Sequence, residues 1–286
     1  MDKKIYIAVS LLLITIVTTG QQQDTPPLTV EKISDKLYQL IGGRGANGGM
    51  YIGDHEVLII DAKMDQKSVE AIFTAVEGFT DKPVKYLVNT HSDGDHVNGN
   101  EFFPKEVIII AHENSREEFF HPGRDGSASR WNDKKLQRFI PQLTFNDKML
   151  LHLGGAPVEL HYFGVGHTTG DIVLYFPEEK TAFIGDQVFF GRPQLIHSYK
   201  GGNSFEHVKT TEKLLASLEA DYFCSGHSDI KTRADMEKHL EDFKNFQEKV
   251  KTLAGSGKSL QEIQAEFKPD EKNLVETIYS EIKEMN

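Results

Sequence analysis

Four side chains able to bind a metal ion, His91, Asp93, Asp95 and His96, stand within six consecutive residues directly after the apolar run Val84–Val88 and the pair Asn89-Thr90. Imidazole and carboxylate groups are ligands of zinc, iron and manganese sites. Gly94 lets the chain bend sharply enough to aim its neighbours to one side. Alone, such a stretch is as consistent with a solvated polar loop as with a site. Three further segments shift that balance. Gly166-His167-Thr168-Thr169-Gly170-Asp171 follows an apolar run ending at Phe163, Gly185-Asp186 follows Thr181–Ile184, and Gly226-His227-Ser228 follows a run ending at Cys224. Each is a strand, then glycine, then one side chain of ligand type, a repetition that chance does not readily supply.

The rest of the pattern is that of one α/β unit. Leu37–Ile41, Met50–Ile52 and Val57–Asp61 are short apolar runs separated by Gly42-Gly43, Gly48-Gly49 and Gly53-Asp54, which predicts antiparallel strands joined by tight turns. Val69, Ile72, Phe73 and Val76 share one face of a helix over Ser68–Val76. Val84–Val88 and Val107–Ala111 read as buried strands, 112–120 as helical, and the Gly/Ser-rich Pro122–Arg130 as a mobile surface loop. A second group of strands follows at Met149–Leu153, Val158–Phe163, Ile172–Phe176 and Thr181–Ile184. Next come a helix over Ser204–Leu218, with Ser204 as its N-cap, and a last strand, Tyr222–Cys224. From Arg233 the chain is helical and highly charged, with a break at Gly255-Ser256-Gly257. Two groups of strands with helices after each predict two packed sheets covered by helices.

These residues and spacings resemble the metallo-β-lactamase superfamily, whose first motif is His-x-His-x-Asp-His, followed by a lone His, a bridging Asp and a final His. The resemblance extends over roughly residues 30–230. It includes Val57-Leu58-Ile59-Ile60-Asp61, which is similar to the family's early strand ending in Asp, and intervals of 71, 19 and 41 residues between successive motifs. It implies the fold class α/β, as a four-layer αββα sandwich with metals between the sheet edges. It implies one metal on His91, Asp93 and His167, a second on Asp95, His96 and His227, and Asp186 as the bridge. Asp95 would be the catalytic carboxylate, orienting the nucleophile and relaying its proton, and Asp61 would hydrogen-bond a ligand histidine. The implied cofactor is two divalent metal ions, zinc (Zn2+) first, with Fe2+ or Mn2+ admitted by the oxygen of Asp93. Two such ions ~3.5–4 Å apart can share a hydroxide formed from water of pKa near ~7, which attacks a carbonyl carbon or phosphorus.

Two positions matter, one departing from the family's first motif and one from its zinc β-lactamases. Asp93 replaces the second histidine of the first motif, and Asp186 stands where the zinc β-lactamases have Cys or Ser. A bridging Asp resembles glyoxalase II-like thioesterases, lactonases, phosphodiesterases and di-iron flavoproteins, and argues against penicillin-type substrates. The flavoproteins also carry a carboxylate at the position of Asp93, but need a flavin domain for which this chain has no room. Asp93 is short, so it reaches a metal only if its loop lies inward or a water intervenes. Its extra charge should make the bound water less acidic. The reading is therefore an exported metallo-hydrolase, not a true β-lactamase, acting on an ester, lactone, thioester or phosphoester. Two alternatives stay open: an iron-dependent oxidoreductase, motivated by the extra carboxylate, and a non-catalytic metal-binding relic, motivated by the lost histidine. Six of the seven ligand positions keep the family's residue, which weighs against the relic.

Other residues carry weaker signals. His197 and Arg192, in the loop after Asp186, are candidate substrate-binding residues; the plainer readings are an exposed histidine and a surface salt bridge. Asn47 and Tyr51 are candidates for a substrate rim. Phe102, Phe103, Phe119, Phe120 and Trp131 could wall an apolar pocket or simply pack a core. His112, His121, His152, His161 and His207 are assigned to solvent, caps or core, and Cys224 to an inert buried thiol.

Composition bounds the partners. A chain of 286 residues, 38% hydrophobic and 26% charged, can bury a real core. Its net charge of −11 makes nucleic acid and anionic membrane surfaces unsuitable partners, which leaves a small-molecule substrate. One cysteine excludes an intramolecular disulfide and zinc modules built on several cysteines. Lys3, Lys4, the apolar Ile5–Val17 and the small Thr18-Thr19-Gly20 have the layout of a secretory signal peptide. The apolar run is shorter than the ~20 residues that span a bilayer, so no stable membrane anchor is expected after cleavage. The expected organisation is a signal peptide over 1–20, a flexible segment over 21–30, the metallo-β-lactamase-like domain over 31–230 and a helical extension packed on it over 231–286. The expected location is the bacterial periplasm or the medium. No motif speaks to the oligomeric state or to the identity of the substrate.

Overall fold

A computed structural model describes residues 25–285; the leader-like segment 1–20 lies outside the described residues. Strands β1 (Leu28–Lys32), β2 (Leu37–Gly42), β3 (Gly48–Ile52) and β4 (Val57–Ile60) form an antiparallel meander. Parallel strands β5 (Val84–Val88), β6 (Ile108–His112) and β7 (Leu143–Phe145) extend it into a seven-stranded sheet in chain order. The second sheet holds β8 (Lys148–Leu151), β9 (Val158–His161), β10 (Val173–Phe176), β11 (Thr181–Gly185), β12 (Tyr222–Ser225) and β13 (Lys231–Thr232), in the order β13-β12-β11-β10-β9-β8. In it only β11 and β12 run parallel.

Strand β4 shows why the layers form. All four of its residues are buried. The pleat turns alternate side chains to opposite faces, so Leu58 and Ile60 enter the space between the sheets while Val57 and Ile59 face helix α1 (Gln66–Phe79). Between the sheets, Leu58, Ile60, Val88 and Ile110 meet Leu160, Leu174, Phe176 and Phe183. Outside the first sheet, α1 contributes Val69, Ile72 and Val76. Short helices α2 (Gly94–Val97) and α3 (Glu113–Glu118) punctuate the loops after β5 and β6. Outside the second sheet, α4 (Ser204–Ser217) and α5 (Arg233–Gly255) cover Val173, Ala182 and Phe223 through Leu214 and Met236. Helix, sheet, sheet and helix make the expected αββα sandwich.

Two details differ from the sequence reading. Strand β1 pairs with β2 from Leu28 opposite Gly42 to Lys32 opposite Tyr38, so the sheet starts inside the segment 21–30 expected to be flexible. The N-cap of α4 is Asn203, not Ser204: the Asn203 side-chain oxygen accepts from the N–H groups of Phe205 and Glu206. Ser204 instead gives its N–H and hydroxyl to Glu281, on α7 (Lys272–Glu284). Together with α6 (Leu260–Gln264), α5 and α7 enclose Phe243, Val250, Ile263, Leu274 and Ile278, and Ile196 from the loop after β11 enters the same cluster. No described helix is long and apolar enough to cross a membrane.

Candidate metal centre

The expected ligands leave strand ends that the topology makes neighbours. Parallel β11 and β12, with Gly185 opposite Ser225, release Asp186 and His227 side by side. Parallel β4 and β5, with Ile60 opposite Val88, do the same for Asp61 and the loop holding His91 to His96. All seven side chains come together in two groups: His91, Asp93, His167 and Asp186, then Asp95, His96 and His227, with the ligand atoms of each group within 4.8 Å of one another. Asp93 Oδ2 stands 2.9 Å from His167 Nε2 and 3.6 Å from His91 Nε2, so its loop lies inward as a short side chain requires. His227 Nε2 is 3.2 Å from Asp95 Oδ2. Asp186 lies between the groups. Its Oδ1 is 3.3 Å from His96 Nε2, and its Oδ2 is 3.1 Å from His227 Nε2 and 4.0 Å from His91 Nε2. Gly226 permits this approach, because a Cβ there would sit 2.4 Å from Asp186 Oδ1 and 2.7 Å from His96 Cε1.

The donor set fits divalent cations. His91 Nε2, His96 Nε2 and Asp186 Oδ1 are buried without a hydrogen-bond partner, a costly state for polar atoms unless a cation takes their lone pairs. The opposite ring atoms are held. His96 Nδ1 is 2.7 Å from Asp61 Oδ2, His167 Nδ1 is 2.8 Å from the Leu195 carbonyl, and His91 Nδ1 is 3.1 Å from Thr90 Oγ1. Such contacts fix the rings with Nε2 inward. Asp61 thus does what its strand-end position implied. It also accepts from the Thr90 N–H and hydroxyl, both at 2.8 Å, which holds its backbone at a φ of 58°. The carboxylates are kept ionised: burial pushes Asp93 and Asp186 up, but the surrounding histidines hold both well below the usual range. Burial likewise opposes charge on His167 and His227, and their carboxylate contacts override it, raising each to about 9.

Several residues around the site have no signal in the sequence. Lys200 is buried, with Nζ 2.6 Å from Asp93 Oδ1 and 2.7 Å from Ser92 Oγ. The Ser92 hydroxyl donates to Glu118 Oε2 at 2.5 Å, and Glu118 Oε1 accepts from the Thr169 N–H at 2.9 Å and hydroxyl at 2.6 Å. The extra charge of Asp93 therefore does not act unopposed on the centre; it meets a buried ammonium. Lys200 is 107 residues away in the chain and belongs to no motif. Lys63 is fully buried and donates to the carbonyls of Leu40 at 3.0 Å and Ala46 at 2.6 Å, while the Ala46 N–H bonds the Asp95 carbonyl at 3.1 Å. Burial lowers its pKa to about 8. Phe189 stacks on His227 at 5.4 Å and meets His167 edge-on at 5.7 Å.

The weaker expectations divide. His197 lies at the first group, Nδ1 3.0 Å from Asp93 Oδ2. Arg192 forms neither a contact with the ligands nor the expected salt bridge among the interactions described; it is exposed and stacks on Phe189, 4.2 Å from the ring centroid. Tyr51 is core rather than rim: it is buried, its hydroxyl donates to the Gly154 carbonyl at 3.3 Å, and burial pushes its pKa to about 12. Asn47 braces the His227 turn, with its amide on the Ser228 carbonyl at 3.0 Å and its N–H on the Gly226 carbonyl at 2.6 Å. Phe103, Phe119 and Trp131 are buried packing, and Phe102 and Phe120 are exposed. His112 caps α3 and His207 is core. Cys224 is buried, and burial pushes its thiol pKa up.

The fold and this cluster agree with a known family model. Residues 41–227 match that of the Metallo-beta-lactamase superfamily, and the chain belongs to that superfamily. It is 22% identical over 237 residues to a Metallo-beta-lactamase type 2 of Bacteroides fragilis, which covers 79% of this chain and 90% of that protein. It is 28% identical over 221 residues to the 2,4-dinitroanisole O-demethylase subunit alpha of Nocardioides sp. (strain JS1661), covering 76% of this chain and 62% of that one. Among solved structures, the DIM-1 metallo-beta-lactamase superposes with a TM-score of 0.64 over 78% of this chain and 99% of its own, at 17% identity, a likeness of fold.

Proposed function

We propose that this protein is an exported dinuclear metallo-hydrolase acting on an ester, lactone, thioester or phosphoester. The observation that carries the reading is Asp186, buried between the two groups, with Oδ1 toward His96, Oδ2 shared between His227 and the more distant His91, and no hydrogen-bond partner for Oδ1. His91, Asp93 and His167 would hold one ion, Asp95, His96 and His227 the other, and Asp186 both. Two bound divalent ions lower the pKa of water toward ~7 and polarise a substrate oxygen. Asp95, with 30% of its side chain exposed, orients the nucleophile and takes its proton on a carboxylate oxygen. Asp61 keeps Nε2 of His96 turned inward, and Phe189 covers the rings of His167 and His227. Zinc is the first expectation for the metal. The Asp93 oxygen supports a second reading, in which iron occupies the site and the reaction is an oxidation.

A carboxylate at positions 93 and 186 argues for a substrate other than a penicillin-type lactam. Purified protein is therefore expected to hydrolyse at least one of a panel of esters, thioesters, lactones and phosphoesters, to lose that activity with a chelator and to regain it with metal. Efficient turnover of a carbapenem would contradict the substrate assignment, and oxygen consumption by an iron-loaded form without any hydrolysis would favour the oxidation. For export, N-terminal sequencing of material from outside the cytoplasm should begin near Gln21. An intact Met1 there would contradict cleavage.

A further inference from the structure

The loop after β11 brings two residues onto Asp93, one to each oxygen. Lys200 Nζ holds Oδ1 at 2.6 Å, and His197 Nδ1 stands 3.0 Å from Oδ2. Despite that distance, His197 Nδ1 is buried without a hydrogen-bond partner, the condition it shares with His91 Nε2 and His96 Nε2. Three imidazole nitrogens, from His91, His167 and His197, thus lie 3.6, 2.9 and 3.0 Å from a single carboxylate oxygen. Each of these three nitrogen–oxygen spacings is close to the roughly 3–3.5 Å that separates two atoms bound to one ion at ~2.0–2.2 Å. The turn carrying His197 is built to hold it. The His197 N–H donates to the His167 carbonyl at 2.8 Å, and the His197 carbonyl accepts from the N–H groups of Lys200 at 2.8 Å and Gly202 at 3.0 Å. On its other flank Ile196 is sunk into the cluster formed by the C-terminal helices.

We infer that His197 is a ligand of the first metal through Nδ1, supplying the imidazole that position 93 lacks, while Lys200 holds Asp93 by its other oxygen. The inference rests on the dinuclear reading above and assigns His197 to the metal rather than to substrate. A ring that only touched substrate would leave metal affinity unchanged when removed.

The test compares zinc affinity at both sites, by chelator competition, in wild-type protein, His197→Ala and His197→Ala/Asp93→His. Loss of an outer partner of a ligand typically weakens metal binding about 10–100-fold, so loss of a direct ligand should reach about 100-fold or more. That fall is expected at the first site alone, and the histidine returned at position 93 should recover most of it. Wild-type affinity in His197→Ala, or a double variant with the loss undiminished, overturns the inference. A wild-type protein that takes up fewer than two ions overturns the underlying reading instead. If His197→Ala does not fold, wild-type protein with isotope-labelled histidine and a spin-active cadmium isotope decides. Coupling from cadmium to His197 Nδ1, beside the rings of His91, His96, His167 and His227, supports the assignment, and its absence at His197 overturns it.

Discussion

At the scale of single residues, the pair Asp93 and Lys200 carries the most consequence. Both are buried, and each oxygen of the carboxylate has its own partner. Breaking a buried ion pair from one side typically costs about 3–5 kcal/mol, because the remaining charge is stranded. Lys200→Met should therefore destabilise the metal-free protein by roughly that amount in urea unfolding, and an unchanged midpoint would show that the contact carries no such weight. The same pair modifies what Asp93→His can do. A third imidazole at position 93 should raise zinc retention at the first site, but with Lys200 left unpaired it should also lower stability. Asp93→His combined with Lys200→Met should keep the retention without that loss, as chelator competition and thermal unfolding would show. The seven clustered side chains were legible in the sequence as candidates because each follows an apolar run and most adjoin a glycine. Lys200 and Glu118 were not, since they reach Ser92 and Asp93 only through the folded loops.

At the scale of elements, the strands buried on both faces were the easiest to read and the two edge strands of the first sheet, β1 and β7, among the hardest. β4 is four apolar residues in a row, each with a layer to face. β1 has Glu31 and Lys32 in an exposed edge strand, and β7 is three residues long, so neither stands out from loop sequence. The C-terminal helices were expected as an extension without an assigned role. The structure ties them to the site, because Ile196 packs among Phe243, Val250, Leu274 and Ile278 one residue before His197. Ile196→Ala should cost about 2–4 kcal/mol through the cavity it leaves. It should also weaken metal binding at the first site while leaving the second unchanged. Thermal unfolding together with metal titration reads both effects, and equal weakening at the two sites would contradict the proposed support.

At the scale of the whole molecule, the four-layer order follows from two groups of strands with helices after each, and that much was visible in the pattern of apolar runs. The acid response was not, because it depends on which histidines the helices bury. His207 and His239 lie against each other between α4 and α5, with ring centroids 6.1 Å apart. Burial, helped by positive charge on His239 and His167, lowers His207 to about 3, and burial lowers His239 to about 4. In the unfolded chain each takes up its proton near pH ~6.5, so between there and about pH 4 the unfolded state binds more protons. Stability should therefore fall as pH drops below 6.5, by up to about 1.4 kcal/mol per pH unit for each histidine, and neither should contribute above it. His207→Leu should flatten that fall by one histidine's share in urea unfolding between pH 7 and 5, and parallel curves would contradict the assignment. The central claim, that strand-end side chains hold two ions across Asp186, has a more direct test. Metal-stripped protein titrated with Co2+, followed by visible absorption, should saturate at about two equivalents. Asp186→Ala should disturb both sites, because the carboxylate lies against His96 and His227 of one group and reaches His91 of the other through Oδ2. Wild-type protein that saturates at one equivalent or none would contradict the account.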